Sequence, residues 1–202
     1  MVGVNDQDGG VAYGFFTVIL VDEDDQPNQA ATHTVDLNSS VSLEMIWVEP
    51  GTFTMGSPTT EAGRDADRED EHNVSLTKGF YLGKYEVTQA QYEAVMSADP
   101  SLFKGSNRPV EQVTWNASQV FLTRLNEQQA GNLPAGWSYV LPTEAQWEYA
   151  CRAGTTTRFS WGDSIAITNA NYGDNIGQTS NVGNYAANPW GFSTCMEMCG
   201  SG

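Results

Sequence analysis

Residues 141–150 read Leu141-Pro142-Thr143-Glu144-Ala145-Gln146-Trp147-Glu148-Tyr149-Ala150 and mark the start of a helix. Thr143 and Gln146 stand three positions apart and form a capping box, in which the Thr hydroxyl and the Gln amide satisfy open backbone N–H groups. Glu144 and Glu148 lie one helical turn apart on a common face. Such a pair could be a paired-carboxylate catalyst, but a solvated helix face or an ion pair with Arg152 is the interpretation that we favour.

Two further helices are predicted upstream of this stretch. Thr88-Gln89-Ala90-Gln91 forms another capping box, so a helix should run from there to about Met96. Residues 116–129 form the other helix, because they carry an apolar stripe at helical spacing, made of Val120, Phe121, Leu122 and Leu125. Beyond Ala153 the chain is rich in Gly, Asn and Thr, so we expect loops there.

Short apolar runs between turn signals predict strands. Met45-Ile46-Trp47-Val48 and Phe53-Thr54-Met55-Gly56 flank the turn Glu49-Pro50-Gly51. Pro presets one turn angle and Gly permits the other, so a hairpin is expected. Residues 80–87 predict another strand. The Trp residues at 47, 115, 147, 161 and 190 are most simply core and loop anchors.

Residues 1–40 differ in composition from the rest of the chain. The run from Val11 to Val21 is rich in β-branched and aromatic residues and predicts a strand, which the acidic segment 22–28 ends. An edge strand followed by a linker is the simpler interpretation. The segment also resembles the closing strand of the acidic β-sandwich repeats of bacterial surface proteins, so residues 1–40 are expected to be a fragment of a β-type repeat with an acidic linker.

Five blocks of sequence, in a fixed order, resemble the formylglycine-generating enzyme (sulfatase-modifying factor) domain family. They are Met45–Ser57, Phe80–Thr88, Arg108-Pro109-Val110-Glu111-Gln112-Val113-Thr114-Trp115, Leu141–Ala150 and Asn188-Pro189-Trp190-Gly191-Phe192. The resemblance implies an α+β domain of the formylglycine-generating-enzyme fold, related to C-type-lectin-like domains, with little regular secondary structure. It implies that residues 43–192 are the N-terminal part of that domain and that the fold is incomplete.

The resemblance also implies an activity. The family's enzymes use a downstream cysteine pair to bind copper(I) and oxidise a cysteine of a sulfatase-like protein or peptide to formylglycine; soft thiolates suit Cu(I). Cys151 does not match that pair and is expected to be a small buried hydrophobe. Cys195 and Cys199 lie in the last ten residues, so we expect no catalytic residue in this chain and no formylglycine formation by it.

Residues 193–202 break the family pattern. After Asn-Pro-Trp-Gly the family continues with Tyr-Asp-Met and then Gly-Asn-Val-Trp-Glu-Trp. Deletion of one base after the codon for Phe192 turns a sequence that encodes this continuation into one that encodes the observed residues up to Gly202. Given the observed residues, the other reading frame must encode the Tyr, Gly and Val of the family motif, and it can encode the Asn, both Trp and the Glu. We therefore interpret residues 193–202 as a frameshifted tail.

The resemblance implies one cofactor within this chain, a structural Ca²⁺ ion. The family holds Ca²⁺ with an Asn side chain and the next carbonyl, then with an Asp and the carbonyl two residues on. Asn171, Tyr172, Asp174 and Ile176 match those residues in kind, although the family's second pair lies further along the chain, and oxygen donors of this mixed kind suit a hard cation. An Asn/Gly-rich turn without metal is the alternative. The acidic run 61–71 lacks the Gly and Glu of an EF-hand and is predicted to be a solvated loop.

The charge balance excludes some partners. The chain of 202 residues has 9 Lys and Arg against 25 Asp and Glu, a net charge of −16, which argues against nucleic acid and anionic membranes. No transmembrane segment or signal peptide is visible. The likeness to surface repeats points to a periplasmic or extracellular location.

Three functions remain open at the level of the sequence. They are a formylglycine-generating-type oxidase domain that is incomplete here, a non-catalytic binding or structural module of a multidomain surface protein, and a sulfoxide-synthase-type domain. The third is least favoured because the upstream segment looks like a strand and His33 is its only histidine.

Overall fold

The computed structural model describes residues 16–22, 30–61, 63–64, 67, 69–172 and 177–193. Within this part of the chain the strands are β1 (Ile19–Asp22), β2 (Thr32–Asp36), β3 (Ser42–Val48), β4 (Gly51–Met55), β5 (His72–Leu76), β6 (Phe80–Gly83) and β7 (Trp137–Val140). The helices are α1 (Gln89–Met96), α2 (Trp115–Gln129) and α3 (Glu144–Arg152). Sheets and helices occur together, as expected for an α+β domain.

The main sheet has five antiparallel strands in the order β2-β3-β6-β1-β7. β1 is an inner strand: Leu20 is paired with Tyr81 of β6 on one side and with Tyr139 of β7 on the other. The prediction of an edge strand was wrong, because this apolar segment is buried on both faces and has a partner on both sides. The described parts of residues 1–40 contribute β1 and β2 to the same sheet as residues 42–48 and 80–83, while the division of the chain into a β-type repeat and a second domain stays a prediction. Residues 1–15 and 23–29 lie outside the described part of the chain.

The predicted hairpin around Pro50 does not form. β3 is already paired with β2 on one side and with β6 on the other, so neither of its edges is open to β4. β4 instead pairs with β5 in a second, two-stranded sheet, with Phe53 opposite Val74. Phe53 then packs against Tyr149 of α3, with ring centroids 5.2 Å apart.

The helix starts agree closely with the sequence. The capping boxes of Thr88 with Gln91 and of Thr143 with Gln146 are both present and confirm the starts of α1 and α3. α2 begins one residue earlier than predicted, after the N-cap Thr114. Of its predicted apolar stripe, Phe121, Leu122 and Leu125 are buried, but Val120 is 45% exposed.

Apolar side chains on the two faces of the main sheet form two clusters. One lies between the sheet and helices α1 and α2, and includes Leu20, Met45, Tyr81 and Phe121. The other lies on the side of α3 and includes Ile19, Leu82, Cys151 and Phe192. Successive side chains of a strand point to opposite faces, which is why neighbours such as Ile19 and Leu20 belong to different clusters.

The β7 edge of the main sheet is closed by a side chain. Asn126 of α2 donates its amide nitrogen to the carbonyl of Tyr139 at 2.8 Å and accepts the backbone N–H of the same residue at 2.8 Å. A carboxamide thereby takes the place that a neighbouring strand would take.

Candidate functional site: the loops beside helix α3

The two glutamates of α3 have different environments. Glu144 is exposed, whereas Glu148 accepts the N–H of Gly56 at 2.9 Å and the Nε–H of Arg152 at 2.8 Å through one oxygen. Arg152 also donates from Nη2 to the carbonyl of Gly56 at 2.6 Å. Glu148 therefore anchors β4 to α3. These contacts support the ion-pair interpretation and give no geometry for a paired-carboxylate catalyst.

Position 56, where the backbone passes close to Asp70, can hold only glycine without strain. Its φ is +95°, and a Cβ atom there would lie 2.7 Å from the carbonyl oxygen of Asp70. Glycine adopts positive φ without the steric cost of a side chain. The Met-Gly-Ser block and the Glu-Tyr-Ala-Cys-Arg segment, distant in sequence, are thus two halves of one interaction.

Asn188 holds the Asn-Pro-Trp-Gly-Phe block against the end of α3. Its amide nitrogen donates to the carbonyls of Ala150 (2.8 Å) and Cys151 (3.2 Å), while its oxygen accepts the N–H groups of Trp190 (3.0 Å) and Phe192 (3.1 Å). The carbonyls of a last helical turn have no partner within the helix, so the donor satisfies groups that would otherwise be open. All four contacts of Asn188 are structural.

Tyr149 connects this block to the small sheet. Its ring lies 5.2 Å from that of Phe53 and 5.0 Å from that of Trp190. Burial, and next the negative charge of Glu49, raise the pKa of the Tyr149 hydroxyl above its ordinary value. The phenol is therefore protonated at neutral pH and serves as packing surface rather than as a base.

Cys151 is the described part's single cysteine. It is 2% exposed, as expected, and it is disulfide-bonded, which the sequence analysis did not anticipate. Cys195 and Cys199 lie outside the described residues. The described residues thus offer no pair of thiolates, do not fit a copper(I) site, and give no basis for a copper-dependent step.

Of the four predicted calcium ligands, Asn171 and Tyr172 lie within the described part of the chain. Asn171 donates its amide nitrogen to the carbonyl of Gln178 at 2.9 Å, which leaves its side-chain oxygen without a hydrogen bond from any described residue. The carbonyl of Tyr172, a residue 37% exposed, is the next predicted ligand; Asp174 and Ile176 lie outside the described part of the chain. An oriented amide oxygen followed by a backbone carbonyl fits one half of a Ca²⁺ site. The described residues include no cluster of three or more His, Cys, Asp or Glu that could hold a metal by itself.

Arg108 ties this loop to the rest of the domain. Its Nη1 donates to the backbone carbonyl of Thr179 and to the side-chain oxygen of Gln178 at 3.2 Å. The backbone N–H of Val182 donates to the carbonyl of Asn107 at 2.9 Å. Arg108 and Asn107 therefore hold residues 178–182, and Asn171 is joined to this segment through its hydrogen bond to Gln178.

A cleft of about 310 Å³ opens beside Asn169, and no pattern in the sequence predicted it. It is lined by Ser160, Trp161, Asn169, Ala186, Ala187, Asn188 and Pro189. These residues come from three loop segments without any periodic pattern. The available signal was an aromatic pair, Phe159 and Trp161, in a stretch otherwise rich in small polar residues.

Three comparisons place the chain among known proteins. The family model for the sulfatase-modifying factor enzyme 1-like domain matches residues 32–200. The chaperone protein LppX of Paenibacillus barcinonensis is 35% identical over 146 residues (58% of this chain, 48% of that protein). The formylglycine-generating enzyme of Mus musculus is 25% identical over 182 residues (64% and 45%). Among solved structures, Treponema denticola variable protein 1 superposes with a TM-score of 0.69 at 25% identity over 82% of this chain and 73% of that chain. The chain spans about half the length of these two curated relatives.

Proposed function

The chain belongs to the sulfatase-modifying factor enzyme 1-like domain family, and on that premise we propose that it is part of a formylglycine-generating-type domain. In the complete domain, the proposed activity is the oxidation of a cysteine in a sulfatase-like protein to formylglycine. The family match and the likeness to the mouse enzyme support this class of activity. Copper(I) held by a thiolate pair would supply the chemistry with oxygen.

We further propose that this chain does not itself perform the oxidation. The observation that carries the proposal is that the described residues include one cysteine, Cys151, which is buried and does not match the family's pair, so they present no pair of thiolates. The test is incubation with a peptide that contains Cys-x-Pro-x-Arg, in the presence of copper(I) and oxygen, followed by mass spectrometry. We expect unchanged peptide, while a complete formylglycine-generating enzyme assayed in parallel converts it. Conversion by this chain would overturn the proposal.

A non-catalytic binding module is the second candidate. It is favoured by the likeness over 82% of this chain to Treponema denticola variable protein 1, a protein whose name does not describe an oxidase. Sequencing of the gene beyond the codon for Phe192 separates the two candidates. Two closely spaced cysteine codons in one continuous frame favour the oxidase, and their absence favours the module. The same experiment tests the frameshift, which stays a prediction.

We propose Ca²⁺ as a structural ligand of Asn171, Tyr172, Asp174 and Ile176. The free amide oxygen of Asn171 supports this. Isothermal titration calorimetry with Ca²⁺ should show binding to the chain and none to Asn171→Ala. Asn184→Ala, which removes an exposed amide from the same loop region, is the matched control and should bind normally. Absence of heat with the unaltered chain would support the metal-free turn.

A periplasmic or extracellular location is also a proposal. In the part of the chain that the structure covers, none of the helices has the length and apolar character needed to cross a membrane. The resemblance of the segment Val11–Val21 to a strand of bacterial surface-protein repeats supports this location. The relation to C-type-lectin-like domains is a further prediction.

A further inference from the structure

The cleft beside Asn169 has described lining residues that are held in place by contacts within the protein. The Trp161 indole is stacked on Phe159, with ring centroids 5.1 Å apart and planes 5° from parallel, and its Nε1–H donates to the carbonyl of Ser164 at 2.9 Å. Phe159 is 3% exposed. Asn188, which also lines the cleft, is held by the four hydrogen bonds of its side chain, and these restrain the adjacent Pro189. A preformed site avoids the ordering cost that weakens binding to a mobile surface.

The lining combines apolar surface with a few unused polar groups. The apolar residues of the lining are Trp161, Ala186, Ala187 and Pro189. Asn169 accepts the N–H of Ala166 through its oxygen at 3.1 Å, so its amide nitrogen keeps two donors that no described residue uses. The Ser160 hydroxyl likewise has no partner among the described residues. None of the described residues that line the cleft is ionisable.

We propose that this cleft binds a single neutral hexopyranose ring. A pyranose has an apolar face of C–H groups that packs on an indole or a proline ring, and a rim of hydroxyls that accept from an amide and exchange hydrogen bonds with a serine. The volume of about 310 Å³ lies at the small end of ligand sites, which suits one ring rather than a larger molecule. The absence of charge in the lining favours a neutral ligand over an ionic one.

An extended peptide fits the cleft less well. Peptides are usually held by backbone pairing with a strand edge or by a groove for a helix. The described lining segments, residues 160–161, 169 and 186–189, include no strand, so a proline or aromatic side chain would enter without support for its backbone. The proposal concerns binding only and stands independently of the oxidase and calcium proposals.

The test uses the full chain and three methyl hexopyranosides, those of β-D-glucose, β-D-galactose and α-D-mannose, measured by saturation-transfer NMR and calorimetry. D-Glucitol, an open-chain polyol, and N-acetyl-proline methylamide are the comparison ligands. Ala187→Trp fills the cleft from an exposed loop position and should cause loss of binding. Ala135→Trp makes the same change at an exposed alanine outside the lining and should leave binding unchanged. A thermal melt of each variant checks that it is folded.

Binding of at least one hexopyranoside in the millimolar range, lost in Ala187→Trp and kept in Ala135→Trp, is the expected result. Ser160→Ala, which removes one hydroxyl without changing the shape of the cleft, should weaken the same interaction. The proposal is overturned if none of the three sugars binds, if glucitol binds as well as they do, or if Ala187→Trp binds normally. Binding of the proline derivative in place of the sugars would assign the cleft to peptides instead.

Discussion

Replacement of Glu148 by alanine is predicted to cause a large loss of stability for a single change on a helix surface. One oxygen of Glu148 accepts both the Gly56 N–H at 2.9 Å and the Arg152 Nε–H at 2.8 Å. The side chains of Glu148 and Arg152 are only 18% and 21% exposed. The substitution removes both bonds and leaves the Gly56 N–H and the Arg152 guanidinium without this acceptor.

The size of the loss follows from these contacts. A hydrogen bond to a charged group contributes about 1.5–3 kcal/mol when it is removed from a buried setting. Partial exposure allows water to replace some of the lost interaction, as it does for surface ion pairs. For the two bonds together we therefore expect a decrease of about 2–4 kcal/mol in the free energy of unfolding, a large part of the ~5–15 kcal/mol that holds a typical domain folded.

Urea denaturation followed by tryptophan fluorescence measures this decrease. Glu144→Ala is the matched control, because it removes the same carboxylate from an exposed position one turn earlier on α3. This control loses only the favourable interaction of a negative charge with the start of the helix, which should lower the free energy of unfolding by about 0.3–1 kcal/mol. Arg152→Ala and the double variant complete a mutant cycle, in which the two changes should cost less together than the sum of the single changes.

Two outcomes would refute the reasoning. If Glu148→Ala and Glu144→Ala lowered the free energy of unfolding by the same small amount, the contact between β4 and α3 would not contribute to stability. If the effects of Glu148→Ala and Arg152→Ala were strictly additive, the two side chains would act independently and the shared contact at Gly56 would have no energetic role.

Two backbone predictions complement this one. Gln112 has a φ of +62°, so Gln112→Gly should raise stability by about 0.5–1 kcal/mol in thermal melts. Gln119→Gly, the same change within α2, should lower it by a similar amount, and a gain at both positions would contradict the argument. Gly79→Ala should cost about 1–3 kcal/mol because its Cβ would overlap the indole of Trp47. Gly131→Ala meets no atom within 4 Å and should be nearly neutral; an equal cost at both glycines would argue against the clash.

Local features of the fold were predictable and long-range ones were not. The capping boxes of Thr88 and Thr143 lie within four residues of sequence, so their side chains and backbone groups meet whenever the helix forms. Which strands become neighbours depends on contacts between distant residues. The prediction of a hairpin around Pro50 was wrong for this reason. A turn signal indicates that the chain reverses, but it does not indicate which strand the following segment pairs with.

The same division applies to the candidate site. Asn171 was selected from the resemblance to the family, its amide oxygen accepts no hydrogen bond from a described residue, and the calcium site itself stays a prediction. The cleft beside Asn169 was missed because its lining comes from three separated loop segments, and no spacing rule connects Trp161 with Pro189. Val120 was misplaced because a run of adjacent apolar residues on a helix cannot all face the core.

The position of β1 has a consequence for the order in which the protein can fold. β7 reaches the rest of the main sheet only through β1, since Leu20 separates Tyr139 from Tyr81. During synthesis, residues 19–22 leave the ribosome more than a hundred residues before residues 137–140, and until then one side of β1 has no partner. Such non-local pairing is slow. The apolar strand Ile19–Asp22 therefore keeps one edge unpaired until residues 137–140 have been synthesised.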